Sequence, residues 1–239
     1  MVVPLPSKQI VWVRFPSFAQ KGFIITKGGF MNNEEDIELY KKEFKEKKYT
    51  KLKNVLTERE SKLICNLLNF EYNFNRQSGD DLVLNTHAGN HPIFDSLMLI
   101  LKPLVEDVTG KKLYPTYGYH RVYRSGARLP LHKDRFSCEI SLNLCVGYFY
   151  DTENDEYKWN IFMDNAEIET DIGDLIIYKG LEVKHWRNTF VGGKNSWQTQ
   201  IFLHYVDADG EYSDYKWDGR QNFGTYSGIR KLPEGRATW

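Results

Sequence analysis

The second half of the chain is dominated by short segments in which apolar and polar residues alternate. Alternation with a period of two is typical of a β-strand that has one face in the protein core. We predict strands over residues 117–123, 139–147, 159–163, 174–178, 185–190 and 198–206. Two helical patterns precede them, and the first begins at a capping box over residues 57–60. The chain therefore combines N-terminal helices with a larger β part.

The order of these patterns favours one mainly β domain. A run of short strands after two helices is typical of a double-stranded β-helix, the jelly-roll barrel, with the helices buttressing its outside. We assign residues 114–207 to the barrel, residues 1–113 to an N-terminal extension with the buttressing helices, and residues 208–239 to a C-terminal tail. Pro103 lies inside the second helical pattern, residues 93–108, and predicts a kink or break there.

The composition limits the partners that the protein can have. The 32 basic and 32 acidic residues cancel, so the charge gives no indication of a nucleic-acid partner. No apolar stretch is long enough to predict a membrane span. The three cysteines lack the spacing of a disulfide framework, which favours reduced thiols and a cytoplasmic protein. The oligomeric state stays open.

Two histidines and an aspartate in the β part have the composition of a metal site. His132 and Asp134 are two residues apart, with Lys133 between them, so on a strand both side chains point to the same face. His185 lies in a distant predicted strand. Two imidazoles and one carboxylate form the 2-His-1-carboxylate facial triad, which binds Fe(II) and leaves positions open for further ligands. Because a His-x-Asp motif also arises by chance, surface histidine and aspartate residues are the alternative.

The sequence around these three residues resembles a known family. A Tyr-x-x-Gly motif at residues 123–126 precedes the His-x-Asp motif, and a Gly-Asp strand at residues 173–180 precedes His185. The other matching runs are His-Lys-Asp-Arg at 132–135, Cys-Glu-Ile-Ser at 138–141, His-Trp-Arg at 185–187 and Gln-Ile-Phe-Leu-His-Tyr at 200–205. Together they resemble the Fe(II)- and 2-oxoglutarate-dependent dioxygenases, specifically the prolyl-4-hydroxylase-like branch. The resemblance covers about residues 114–207.

This resemblance implies the cofactors and the reaction. Fe(II) would be bound by His132, Asp134 and His185, with 2-oxoglutarate and O2 as cosubstrates and succinate and CO2 as products. The reaction would be hydroxylation of an unactivated C–H bond in an amino acid, a small metabolite or a peptidyl residue. Related halogenases have a small residue in place of the carboxylate, so Asp134 favours C–H oxidation over halogenation.

The distal carboxylate of 2-oxoglutarate needs a cation inside the barrel, because an unpaired buried charge is costly. Lys194 stands nine positions after His185, where prolyl hydroxylases of the family have a Lys or Arg. Arg187 shares a strand face with His185, and its planar guanidinium suits a carboxylate. We prefer Arg187, with Lys194 as the main alternative and Arg121 as a third candidate. Tyr123 is a candidate to donate its hydroxyl to the cosubstrate, and the alternative is a barrel tyrosine whose hydroxyl is bonded to the backbone.

Three further residues are candidates for binding the substrate. Tyr119 and Arg121 share a strand face with Tyr123 and would form the wall of the pocket. Arg135 directly follows the predicted metal ligand Asp134 and would either bind a substrate carboxylate or pair with Glu139. The nature of the substrate stays open.

Two functions outside this class are retained as alternatives. The first is a cupin-like metal protein with another reaction, which the absence of a His-x-His motif disfavours. The second is a non-catalytic β-sandwich binding module, in which His132 and Asp134 would be surface residues. Binding of iron and of the cosubstrate distinguishes the dioxygenase from the binding module.

Overall fold

A computed structural model describes residues 34–73, 78–79, 83–84 and 86–224. The first 33 residues of the predicted N-terminal extension, and the predicted tail after residue 224, lie outside the described residues. Parts of the loop that follows the second helix also lie outside them.

Three α-helices lie in the described N-terminal part: α1 (Glu34–Lys47), α2 (Glu58–Asn73) and α3 (Pro92–Thr109). The capping box at the start of α2 is confirmed. The Thr57 backbone N–H donates to Glu60 Oε2 at 2.8 Å, and the Glu60 N–H donates to Thr57 Oγ1 at 3.2 Å.

Helix α3 continues through Pro103, so the predicted break does not occur. Proline leaves the carbonyl of residue i−4 without its donor, and here that residue is Leu99. Leu99 is on the exposed side of the helix, where water can replace the missing donor. The helix ends at Gly110, which adopts the left-handed conformation of a C-terminal cap.

The strands form two antiparallel sheets. The larger sheet has the order β1-β9-β6-β11-β4-β3-β2, and the smaller has the order β5-β10-β7-β8. Their bounds are β1 (Tyr49–Leu52), β2 (Ser78–Gly79), β3 (Thr86–Gly89), β4 (Leu113–Arg124), β5 (Leu129–His132), β6 (Ile140–Phe149), β7 (Ile161–Met163), β8 (Ala166–Ile168), β9 (Leu175–Lys179), β10 (His185–Arg187) and β11 (Trp197–Asp207). This arrangement is the predicted double-stranded β-helix, and β1 adds a strand from the N-terminal part that the sequence did not predict.

The two faces of the larger sheet differ in chemistry. Residues such as Leu142 and Ile201 pack against the helices in the main hydrophobic core. Alternate residues of the same strands point to the other face, towards the space between the sheets. That interior face carries buried polar side chains, among them Ser141, Asn143, Gln200 and His204. Because buried polar groups need partners, the interior is suited to a polar ligand.

No helix in the described ranges has the length and apolar character needed to cross a membrane.

Candidate active site

The three predicted metal ligands converge on one point inside the barrel. Strands β5 and β10 pair with His132 opposite His185. The Nε2 atoms of His132 and His185 lie 3.8 and 3.6 Å from Asp134 Oδ1. One ligand atom from each residue lies within 4.8 Å of the others. Asp134 lies just beyond the end of β5, where its backbone N–H donates to the Gly180 carbonyl at 2.9 Å.

Each histidine directs Nε2 towards Asp134 Oδ1. His132 Nδ1 lies 2.8 Å from the Pro130 carbonyl, and His185 Nδ1 lies 3.2 Å from the Val183 carbonyl. Since a carbonyl only accepts, each Nδ1 carries the proton and each Nε2 keeps its lone pair. Burial lowers the pKa of both imidazoles to about 4. At neutral pH a metal ion therefore displaces no proton from them.

The carboxylate of Asp134 is held from the side opposite the histidines. Ser141 Oγ donates to Asp134 Oδ2 at 2.6 Å. Burial raises the pKa of Asp134, while hydrogen bonds from Ser141 and Tyr178 oppose that change. Neither Ser141 nor Tyr178 was predicted as a site residue, although both lie in sequence segments that resemble the family.

The donor set fits a metal of the Fe(II) type. Two neutral imidazole nitrogens and one carboxylate oxygen form the facial triad, and the ligand set supplies three of the coordination positions. Both histidines are buried, and hydrogen bonds fix their ring orientation. The protein itself thus orients the ligands, through hydrogen bonds to the side-chain atoms that do not face the metal.

Gly180 is the residue that lets the chain pass close to Asp134. A Cβ at this position would lie 2.5 Å from Asp134 Oδ2 and would also overlap the Cys138 carbonyl oxygen. We expect Gly180→Ala to displace the Asp134 carboxylate. Co(II) binding should then weaken by about 10- to 100-fold, the usual effect of disturbing a group that orients a metal ligand. Spectrophotometric titration measures this change.

Gly118→Ala is the matched control. Its added Cβ would overlap Phe94 and Leu203 side-chain atoms in the core outside the barrel. Both variants are expected to lose about 1–3 kcal/mol of unfolding free energy through overpacking. Only Gly180→Ala should also lose metal affinity, and unchanged affinity in that variant would contradict the role given to Gly180.

Arg187 is a buried cation inside the same barrel. It has no acidic partner in the described part of the chain. Its side chain has 0% exposure, and its Nη1 donates to the Trp159 carbonyl at 2.6 Å. Its guanidinium carbon lies 4.9 Å from the centre of the Trp159 ring. The remaining donors, Nε and Nη2, have no hydrogen-bond partner among the residues that the structure describes. Such a group is costly to bury, so its environment is suited to an anion.

Other unsatisfied polar groups share this interior. Among the described residues, the buried hydroxyl of Tyr123 has no hydrogen-bond partner, and its ring packs edge-on against Trp159 at 4.8 Å. The buried side-chain amides of Asn143 and Gln200, and Gln198 Nε2, also have no hydrogen-bond partner in the part of the chain that the structure describes. We call these residues, together with Arg187, the polar cluster.

The other cosubstrate candidates lie elsewhere. Lys194 is exposed in the turn between β10 and β11, outside the barrel interior. Arg121 lies on the interior face of β4 with its guanidinium carbon 5.2 Å from the centre of the Tyr119 ring. That ring in turn stacks on Phe202 at 4.8 Å. The structure therefore groups Arg187 and Tyr123 in the polar cluster and leaves Lys194 outside it.

Arg135 has a different partner from the one considered in the sequence analysis. Its Nη2 donates to Asp218 Oδ2 at 2.8 Å, and its guanidinium carbon lies 4.5 Å from the centre of the Tyr117 ring. Glu139, the predicted partner, instead pairs with Lys111 at 3.2 Å. The predicted pairing of Arg135 with Glu139 was wrong, because the C-terminal segment that carries Asp218 packs beside the residues that follow Asp134.

Comparison with known proteins finds similarity in structure only. No protein-family model and no curated protein matches the sequence. A 2OG-Fe(II) oxygenase family oxidoreductase from Burkholderia pseudomallei matches with a TM-score of 0.57 and 12% identity, covering 74% of this chain and 93% of that one. A prolyl-4-hydroxylase from Pseudomonas putida matches with a TM-score of 0.53 and 11% identity, covering 70% of this chain and 98% of that one.

A third solved structure is the epimerase SnoN in complex with Fe3+, α-ketoglutarate and nogalamycin RO. It matches with a TM-score of 0.61 and 10% identity, covering 87% of this chain and 97% of that one. All three similarities agree with the double-stranded β-helix predicted from the sequence. The chain therefore has the fold of the 2OG-Fe(II) oxygenases.

Proposed function

We propose that the protein is an Fe(II)- and 2-oxoglutarate-dependent oxygenase. The observation that carries the proposal is the presence of two complementary sites in one barrel. One is a facial triad of neutral imidazoles and a carboxylate, and the other is a buried guanidinium that has no counter-anion within the described ranges. A ligand that chelates a metal at one end and carries a carboxylate at the other satisfies both sites. The SnoN structure holds iron and α-ketoglutarate on the same fold.

Each residue then has a defined task. His132 and His185 would donate their Nε2 lone pairs to the iron, and Asp134 would donate Oδ1. Arg187 would bind the distal carboxylate of 2-oxoglutarate through Nε and Nη2, with the Tyr123 hydroxyl as a further donor. When bound, the iron and cosubstrate supply oxidative decarboxylation to succinate and CO2, coupled to activation of O2.

We propose hydroxylation of an unactivated C–H bond as the reaction. The similarity to a prolyl-4-hydroxylase supports this choice, whereas SnoN is an epimerase on the same fold. Tyr119 and Arg121 lie on the interior face of β4 and would contact an amino acid, a small metabolite or a peptidyl residue. Arg135 would reach a substrate only by exchanging its contact with Asp218.

Anaerobic titration with Fe(II) and 2-oxoglutarate tests the proposal. We expect the visible metal-to-ligand charge-transfer band of a 2-oxo acid chelated to Fe(II). 2-Oxobutyrate is the control, because it keeps the chelating atoms and lacks the distal carboxylate. It should give a similar band only at a much higher concentration, since Arg187 would have no anion to bind. Absence of a band in folded, iron-loaded protein would exclude the proposed function.

A further inference from the structure

A chain of hydrogen bonds runs from Asp134 through Ser141 to His204. Ser141 on β6 lies directly opposite His204 on β11. Ser141 Oγ lies 2.6 Å from Asp134 Oδ2 and 3.0 Å from His204 Nδ1. His204 is 2% exposed.

The direction of each hydrogen bond follows from the partners. Ser141 has a single hydroxyl proton, and it contacts the Asp134 carboxylate and, at 3.1 Å, the Cys138 carbonyl. An ionised carboxylate and a carbonyl only accept, so the serine proton goes to one of them. His204 Nδ1 must therefore donate to Ser141 Oγ. The ring is then the neutral tautomer with its proton on Nδ1.

Aromatic packing fixes the plane of this ring. The His204 ring centre lies 4.6 Å from that of Tyr117 and 5.9 Å from that of Tyr119. Its other nitrogen, Nε2, is buried without a hydrogen-bond partner. The only hydrogen bond that the described residues provide to the His204 side chain is thus the one to Ser141.

We propose that His204 is a positioning residue for the metal centre, which acts through Ser141 to hold Asp134 with Oδ2 engaged and Oδ1 directed at the two imidazoles. This inference rests on the proposed function, because it assumes that Asp134 binds a metal ion.

The physical reason is a competition for the serine proton. Two acceptors lie near Ser141 Oγ, the Asp134 carboxylate and the Cys138 carbonyl. The hydrogen bond from His204 Nδ1–H reaches the serine oxygen from a fixed direction. It therefore orients the serine hydroxyl and strengthens the hydrogen bond from that hydroxyl to the carboxylate. Without this donor, the hydroxyl is free to turn to the Cys138 carbonyl, and Asp134 Oδ2 loses a charge-assisted hydrogen bond.

Titration with Co(II) alone, without cosubstrate or oxygen, tests this role. His204→Phe keeps an aromatic ring but removes the donor, and it should weaken Co(II) binding by about 10-fold, the lower end for loss of an outer-shell partner. Ser141→Ala should lose at least as much. His204→Asn is the conservative variant, since its amide N–H can take the place of Nδ1–H, and it should restore most of the affinity.

The double variant Ser141→Ala/His204→Phe separates positioning from general stabilisation. If His204 acts only through Ser141, the double variant should bind Co(II) no more weakly than Ser141→Ala. Additive losses would overturn the proposal, as would wild-type affinity in His204→Phe. Failure of the wild-type protein to bind Co(II) would instead reject the proposed metal site, and the inference with it.

Nitrogen NMR of the metal-free protein gives an independent measurement. The two-bond nitrogen–proton couplings of the imidazole report which nitrogen of His204 carries the proton. We expect a protonated Nδ1 and a bare Nε2. A proton on Nε2 would overturn the proposed direction of the hydrogen bonds, whatever the metal affinity.

Discussion

Replacing His132 with alanine is expected to abolish Fe(II) binding and, with it, the charge-transfer band of the 2-oxoglutarate complex. The variant would keep one imidazole and one carboxylate, and two ligands cannot define the facial triad. The lost side chain is almost fully buried, but the backbone pairing of β5 with β10 does not involve it and should keep the strand in place. Iron content after anaerobic reconstitution measures the effect.

His91→Asn is a matched control for removing one imidazole. His91 caps α3 by accepting a hydrogen bond from the Ile93 N–H, and asparagine is a good residue at that position. This variant should bind iron like the wild type. Retention of stoichiometric, tightly bound iron by His132→Ala, with native circular dichroism in both variants, would contradict the proposed triad.

The pH dependence of metal binding follows from the same burial. Burial lowers the pKa of His132 and His185 to about 4, below the usual value near 6.5. Both imidazoles are therefore neutral in the folded protein from about pH 6 upwards, and their protonation does not oppose binding there. Co(II) affinity should fall steeply as the pH approaches 4, where protons compete for Nε2, and protonation of Asp134, whose pKa burial raises, adds to the loss.

The metal ligands could be predicted from sequence because their signal is local. His132 and Asp134 are two residues apart, and His185 stands in a run that resembles the family. The alternation of β4 likewise placed Tyr119, Arg121 and Tyr123 on one face, as the structure shows.

The residues that support the ligands could not be predicted in the same way. Ser141, Tyr178, Gly180 and His204 act through contacts between strands, and those contacts depend on the register in which β6 pairs with β9 and β11. Alternation tells which face a side chain takes but not which residue lies opposite. The Asp218 partner of Arg135 was missed for a related reason, since it comes from a segment with no strand pattern.

Arg187→Met is expected to separate cosubstrate binding from protein stability. Removing one partner of a buried, hydrogen-bonded charge pair costs about 2–5 kcal/mol of binding free energy. The Kd for 2-oxoglutarate should therefore rise at least about 30-fold. In the ligand-free protein, by contrast, Arg187 is a buried charge that none of the described acidic residues neutralises. Exchange for an apolar side chain of similar length should leave the unfolding temperature unchanged or raise it.

Lys194→Ala distinguishes the two basic residues that the sequence left open. Lys194 is exposed in a turn, so its loss should change neither the stability nor the affinity for 2-oxoglutarate. Tyr123→Phe should have an intermediate effect, because a neutral hydrogen bond contributes only about 0.5–1.5 kcal/mol.

Thermal unfolding of the Co(II)-loaded variants, with and without 2-oxoglutarate, measures protein stability and cosubstrate affinity in one experiment. A ligand that binds only the folded state raises the unfolding temperature in proportion to the logarithm of its concentration over Kd. The wild type and Lys194→Ala should show equal shifts, and Arg187→Met should show almost none. A lost shift in Lys194→Ala together with a normal shift in Arg187→Met would instead assign the distal carboxylate to Lys194, outside the polar cluster.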